Sequence, residues 1–156
     1  MRDANPRSTA KIAGHPLHPM LIPFPIVFFV SAFVTDLAFL NTGDRGWAMA
    51  SYWMLGAGVV MALLAALFGF IDFFGERRVR ALRAAWLHML GNLAAVLLEA
   101  VNFYLRATQG PENAVGPGVI ISGVVVLLLL FNGWMGGELV FRGRVGVLEP
   151  EPEEGR

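Results

Sequence analysis

Three histidines stand in the chain, at positions 15, 18 and 88. Two of them fall in "GHPLHPMLIPFP" (residues 14–25), where a long apolar run begins. The third lies in "WLHMLGNLAAVLLEAVNFY", and Asn92, Glu99 and Asn102 follow it at spacings that return to one face of a helix. Asp36, Asp72 and Glu138 are the remaining acidic groups inside or at the edge of apolar segments. Imidazoles on facing helices can ligate haem iron axially, or join carboxylates around a transition metal. The cofactor-binding candidates for b-type haem are therefore His18 and His88, with His15 and Asn92 close by. For a bare metal ion they are His15, His18, His88 and Asp72. An imidazole at a membrane interface can equally do no more than hydrogen-bond a carbonyl or carboxylate. Glu99 lies well inside its segment, where a carboxyl is either a neutral acid bonded to an amide such as Asn102 or part of a proton path.

These residues must be positioned by elements that live in lipid. Of the 156 residues 56% are apolar and only 15% charged, against roughly 25% charged in a soluble domain. The apolar residues form four blocks, about 17–40, 52–74, 84–105 and 115–141. Each is long enough for a bilayer core of about 30 Å, which takes around 20 helical residues. Runs such as "GVIISGVVVLLLLFNGW" do not alternate as barrel strands do, and backbone at membrane depth must satisfy its own hydrogen bonds. The expected fold is all-α: a four-helix antiparallel transmembrane bundle with short connections. Residues 1–13 form an N-terminal segment, 14–147 the membrane domain and 148–156 an acidic, Pro-rich disordered tail. The first apolar run is too long for a signal peptide and no small-residue cleavage pattern follows it.

Basic residues alternate strictly between the two sides. Arg2, Arg7, Lys11, Arg77, Arg78, Arg80, Arg83, Arg142, Arg144 and Arg156 flank one side; Arg45 and Arg106 flank the other. Ten against two places both termini in the cytoplasm of a bacterial cell, with the chain in the inner membrane. Trp47, Tyr52, Trp53, Trp86, Tyr104 and Trp134 gather near span ends, as an aromatic belt requires. The antiparallel threading then sorts the polar groups by depth. His15, His18, Asp72, His88, Asn92 and Glu138 share the cytoplasmic layer, whereas Asp36, Glu99 and Asn102 share the outer one. Asp72 and Glu138, close to arginines, are expected to form interfacial ion pairs.

Proline and glycine set local geometry. Pro16 and Pro19 push His15 and His18 out of the helical interior towards an extended or helix-start conformation. Pro23 and Pro25 remove backbone donors and should kink or delay the first span. Gly133 and Gly137 have the spacing of a close-packing groove, within the bundle or between protomers.

"GHPLHPMLIPFPIVFFVSAFVTDL", "GFID", "HMLGN" and "GGELVFRGRVGV", in that order, resemble the bacterial membrane proteins grouped as domain of unknown function 2231. The resemblance covers about residues 13 to 147, and the His-Pro-x-His-Pro opening is its most specific part. It implies a four-helix inner-membrane protein, joined in some relatives to Rieske-type or cytochrome-type domains, and hence a redox setting with b-type haem by analogy. The family's recurrent polar positions match His15, His18, Asp36, Asp72, His88, Asn92 and Glu138. Pro23 and Arg144 stand where relatives often carry further histidines, which leaves at most one well-ligated haem.

Several function classes are excluded. The chain has no cysteine, so disulfides, thiolate metal sites and covalently attached haem are ruled out. No nucleophile triad, phosphate loop or zinc-protease motif marks an independent enzyme. The basic residues are topology flanks and form no nucleic-acid patch. The reading that follows is a small electron-transfer subunit with one haem or metal site between spans one and three, serving a redox partner protein. A proton-coupled transport module through Glu99 and Asp36, as a homo-oligomer, is the alternative. So is a structural or assembly subunit of a larger complex that carries no cofactor.

Overall fold

A computed structural model describes residues 5–113 and 115–147. Four long helices, all apolar enough to cross a membrane, cover Leu17–Thr42, Arg45–Gly75, Arg83–Gln109 and Val115–Arg142. They extend the expected spans at nearly every end, because the connecting turns are shorter than charge and glycine content suggest.

The first span is split as its prolines require. A short hairpin pairs β1 (Lys11–Ile12) with β2 (His15–Pro16), and α1 (Leu17–Leu21) follows. Ile22, itself helical at φ −52° and ψ −37°, joins α1 to α2 (Pro23–Thr42), and the ladder is interrupted because Pro23 and Pro25 have no N–H to donate. Gly43, at φ 70°, closes α2 in the left-handed conformation that glycine adopts freely. Asp44 caps α3 (Arg45–Gly75) by accepting from the Gly46 amide at 2.8 Å. This two-residue turn reverses the chain at the membrane face. Glu76 then caps the short α4 (Arg77–Arg80), and α5 (Arg83–Gln109) returns across the bilayer. α6 (Val115–Gly137) ends in a π-helical turn, Glu138–Arg142.

α2 packs on α3 and α6, and α5 packs on α6 and α3, so the four spans form a closed antiparallel square. The end where α2 begins, α3 ends, α5 begins and α6 ends, and where Asn5 bonds Val147, is the terminal end; the other is the distal end. Ile120, Leu127, Leu130, Val60, Trp53 and Trp134 point outward and stay exposed, whereas Asp36, Ser51, Glu99, Asn102, Arg106 and Ser122 are buried. A water-soluble bundle has the opposite arrangement. In lipid the outer shell is the apolar one, and polar groups pair inside. Between the two ends lies an apolar plug of Phe29, Ala32, Leu55, Ala62, Ala95 and Val125.

The Gly133/Gly137 groove is not used within the bundle. A Cβ at Gly133 would meet nothing, and one at Gly137 would meet only Phe141. Other glycines make room inside, among them Gly58, against the Phe29 ring, Gly91, against Asn132, and Gly118, against Arg106. The acidic tail expected at 148–156 lies outside the described residues.

Candidate functional site

At the terminal end His18 and His88 meet. Their ring centres are 6.2 Å apart and the rings are perpendicular, at 89°. α1 starts at Leu17 after the N-cap Pro16, which puts His18 in its first turn with Pro19 behind it, and the His18 Nδ1 bonds the Ala65 carbonyl of α3 at 2.7 Å. His88, one turn into α5, bonds the Asn132 carbonyl of α6 through Nδ1 at 3.0 Å. A carbonyl oxygen only accepts, so each Nδ1 carries the hydrogen. Each neutral ring then keeps its lone pair on Nε2, which has no hydrogen-bond partner among the described residues. Gly69 and Gly136 admit the rings: a Cβ at Gly69 would stand 2.9 Å from the His18 ring, and one at Gly136 3.3 Å from that of His88.

Asn92 supports this pair. Its amide donates to the His88 carbonyl at 2.9 Å, and its oxygen faces the Asn132 amide at 3.5 Å. Asn132 is buried, and its own side-chain oxygen has no partner. Sequence reasoning passed over Asn132, although it lies ten residues before the end of span four at Arg142, much as Asn92 lies nine after the start of α5.

The other members of the expected metal set go elsewhere. His15 is exposed, and its Nδ1 bonds the Ala13 carbonyl two residues back. Asp72 accepts from the Thr9 and Ala10 amides at 2.6 and 2.7 Å and from the Ser8 hydroxyl at 3.0 Å. It clasps the N-terminal segment to the end of α3, and it makes no ion pair with an arginine among the described residues. Orphan amides of a turn outcompete a more distant guanidinium for that carboxylate. Among the described residues no three His, Asp or Glu side chains gather with metal-site spacing. Of the four candidate metal residues the structure therefore brings together His18 and His88, and it places His15 and Asp72 in other contacts. Glu138 does form its ion pair, with Arg142 at 3.0 Å.

The distal layer holds Asp36, Glu99 and Asn102 as expected, around a residue assigned to the wrong environment. Arg106 is fully buried and grips Asp36 with both Nη atoms, at 2.8 and 2.6 Å. It is a bundle component, not a flanking charge. Arg106 also donates to Ser51 at 3.0 Å and, through Nε, to the Asn102 oxygen at 3.1 Å. The Asn102 amide donates in turn to Glu99 Oε2 and to Ser122, each at 2.9 Å. All four spans contribute, and Glu99 Oε1 is left buried without a partner. Arg106 falls on the Asn92, Glu99, Asn102 stripe four residues past Asn102, so its spacing was available in the sequence.

A closed square of apolar helices with its charges paired inside defines a multi-pass membrane protein. The chain belongs to the predicted membrane protein family of domain of unknown function 2231, whose family model matches residues 14–149. Comparison with curated proteins and with solved structures finds no match.

Proposed function

We propose that this chain is a small electron-transfer subunit in which His18 and His88 hold one b-type haem between spans one and three. The observation that carries this reading is the pair of neighbouring, perpendicular imidazoles with anchored Nδ1 and unengaged Nε2 atoms. The two rings lie 6.2 Å apart, centre to centre, and their Nε2 atoms would hold the haem iron. The layer offers two protein ligands, as many as b-type haem takes, whereas a closed structural metal site needs four. Bound haem would supply a one-electron couple.

The protein's own part is positional. The Ala65 and Asn132 carbonyls fix the tautomer and the plane of each ring, as outer partners of ligating histidines do. Asn92 braces Asn132 and the His88 turn. The apolar plug closes the layer towards the distal end and keeps its surroundings of low polarity.

Orientation belongs to the same proposal. With Arg106 buried, Arg45 is the one remaining basic flank of the distal end, against ten at the other. The bias favours both termini in the cytoplasm and the chain in a bacterial inner membrane, where a redox partner protein would dock at the arginine-rich end.

The test is a reduced-minus-oxidised absorption spectrum of protein purified from haem-sufficient cells. A Soret and an α band in the wild type, absent from His88→Ala, is the expected result. A featureless spectrum that added haem does not change overturns the proposal.

A further inference from the structure

The distal polar layer is separated from the imidazole pair by the apolar plug, and Glu99 lies about 16 Å along α5 from His88. Nothing in the redox reading uses it. The layer's charges do not balance if every group is ionised. Arg106 engages both oxygens of Asp36, at 2.8 and 2.6 Å, and their charges cancel. Glu99 receives a hydrogen bond from the neutral Asn102 amide on Oε2 and lies beside the Ser122 hydroxyl, which is neutral too. Its Oε1 is buried with no partner.

The groups that face Glu99 from the neighbouring spans are few. Asp36 comes from α2, Ser122 from α6, and Asn102 and Arg106 from α5 itself; α3 joins the layer through Ser51, which bonds Arg106. Arg106 is already committed to Asp36, and no other cation is buried among the described residues. An ionised Glu99 would be a buried charge without a counter-ion, one of the most costly arrangements a folded chain can hold. A metal cation on Oε1 would sit beside a guanidinium and near amide hydrogens, with too few oxygens to replace its hydration shell. A proton removes the charge and needs no further ligands.

We propose that the distal layer is a proton-binding site centred on Glu99, with Asp36 held ionised by Arg106 and Glu99 held as the carboxylic acid. Asn102 links the two carboxyl groups, donating to Glu99 and accepting from Arg106. A change in the Arg106–Asp36 pair is therefore felt at the acid. Since Glu99 is closed off from both faces, its proton exchanges only when the four spans part at the distal end. The inference is independent of haem binding, because its residues and its readout are different.

Infrared spectroscopy of the purified protein in lipid nanodiscs at pH 7 tests it. The expected spectrum has a carbonyl-stretch band of a protonated carboxylic acid. That band shifts when glutamate is carbon-13 labelled and not when aspartate is. It is the same in sodium and potassium buffers and is lost in Glu99→Gln. The labelling arm needs no variant, so a misfolded Glu99→Gln protein leaves the test intact. Absence of a glutamate-sensitive band overturns the proposal, as does a band that sodium abolishes, which would make the site a sodium site. A folded Glu99→Gln protein that keeps the band overturns it as well.

Discussion

Arg106 shows what a single side chain contributes inside this bundle. Its guanidinium is enclosed, as is the Asp36 carboxylate it grips. Removing one member of a buried pair strands the other, so Arg106→Ala should destabilise the fold by about 3–5 kcal/mol. The double variant Arg106→Met/Asp36→Leu removes both charges and should recover most of that loss. Thermal unfolding in a fixed detergent checks both. Asp36, Glu99 and Asn102 were legible as one layer because polar residues in an apolar helix must face inward. Arg106 was not, since near a span end an arginine reads as a flank until its partner, 70 positions earlier in the chain, is seen. The roles of Ser51 and Ser122 were equally hidden, because a hydroxyl inside a helix is ordinarily satisfied by its own backbone.

At the scale of elements, caps and clasps hold the ends of the spans. Asp72 gathers the Ser8, Thr9 and Ala10 donors and so fastens the N-terminal segment across the end of α3. Asp72→Asn should release it, and limited trypsin digestion should cut after the exposed Lys11 several-fold faster. Unchanged digestion would mean that the Asn5–Val147 and Gly146–Pro6 contacts suffice alone. Glu76 caps α4, and the hydrogen bond from the Arg78 side chain lowers its carboxyl from 4.5 to about 2. A lowered folded value stabilises above the ordinary carboxylate range and is lost as pH falls from about 4.5 towards 2. For a pair this close to solvent the effect is below about 1 kcal/mol. Helix content measured by circular dichroism should therefore differ between wild type and Glu76→Gln above that window and converge below it. The four spans themselves were readable from apolar length, and the loss of backbone donors early in span one from Pro23 and Pro25. The π-helical turn at Glu138–Arg142 had no sequence signal, because it depends on how Leu139 packs in the cluster of Phe73, Val79 and Ala85.

Over the whole molecule, alternating charge and an inside-out distribution of polar groups describe a bundle built for lipid. The absence of cysteine makes the native chain a ready background for topology mapping. A single cysteine at position 45 should react with a membrane-impermeant maleimide on intact cells, whereas one at position 80 should react only after permeabilisation. The reverse pattern would invert the proposed orientation. The meeting of His18 with His88 follows from this threading: two odd-numbered spans, entering from the same face, must bring their early residues to one depth. That they also touch is a matter of packing, through Gly69 and Gly136, which sequence spacing alone does not fix.

Titration of haem into the purified protein addresses the central claim most directly, with His18→Ala and His88→Ala measured beside the wild type. The expected result is one haem per chain with the six-coordinate, low-spin spectrum of paired imidazoles, and loss of that spectrum in either variant. Equal haem uptake by all three proteins, or none by the wild type, would contradict it.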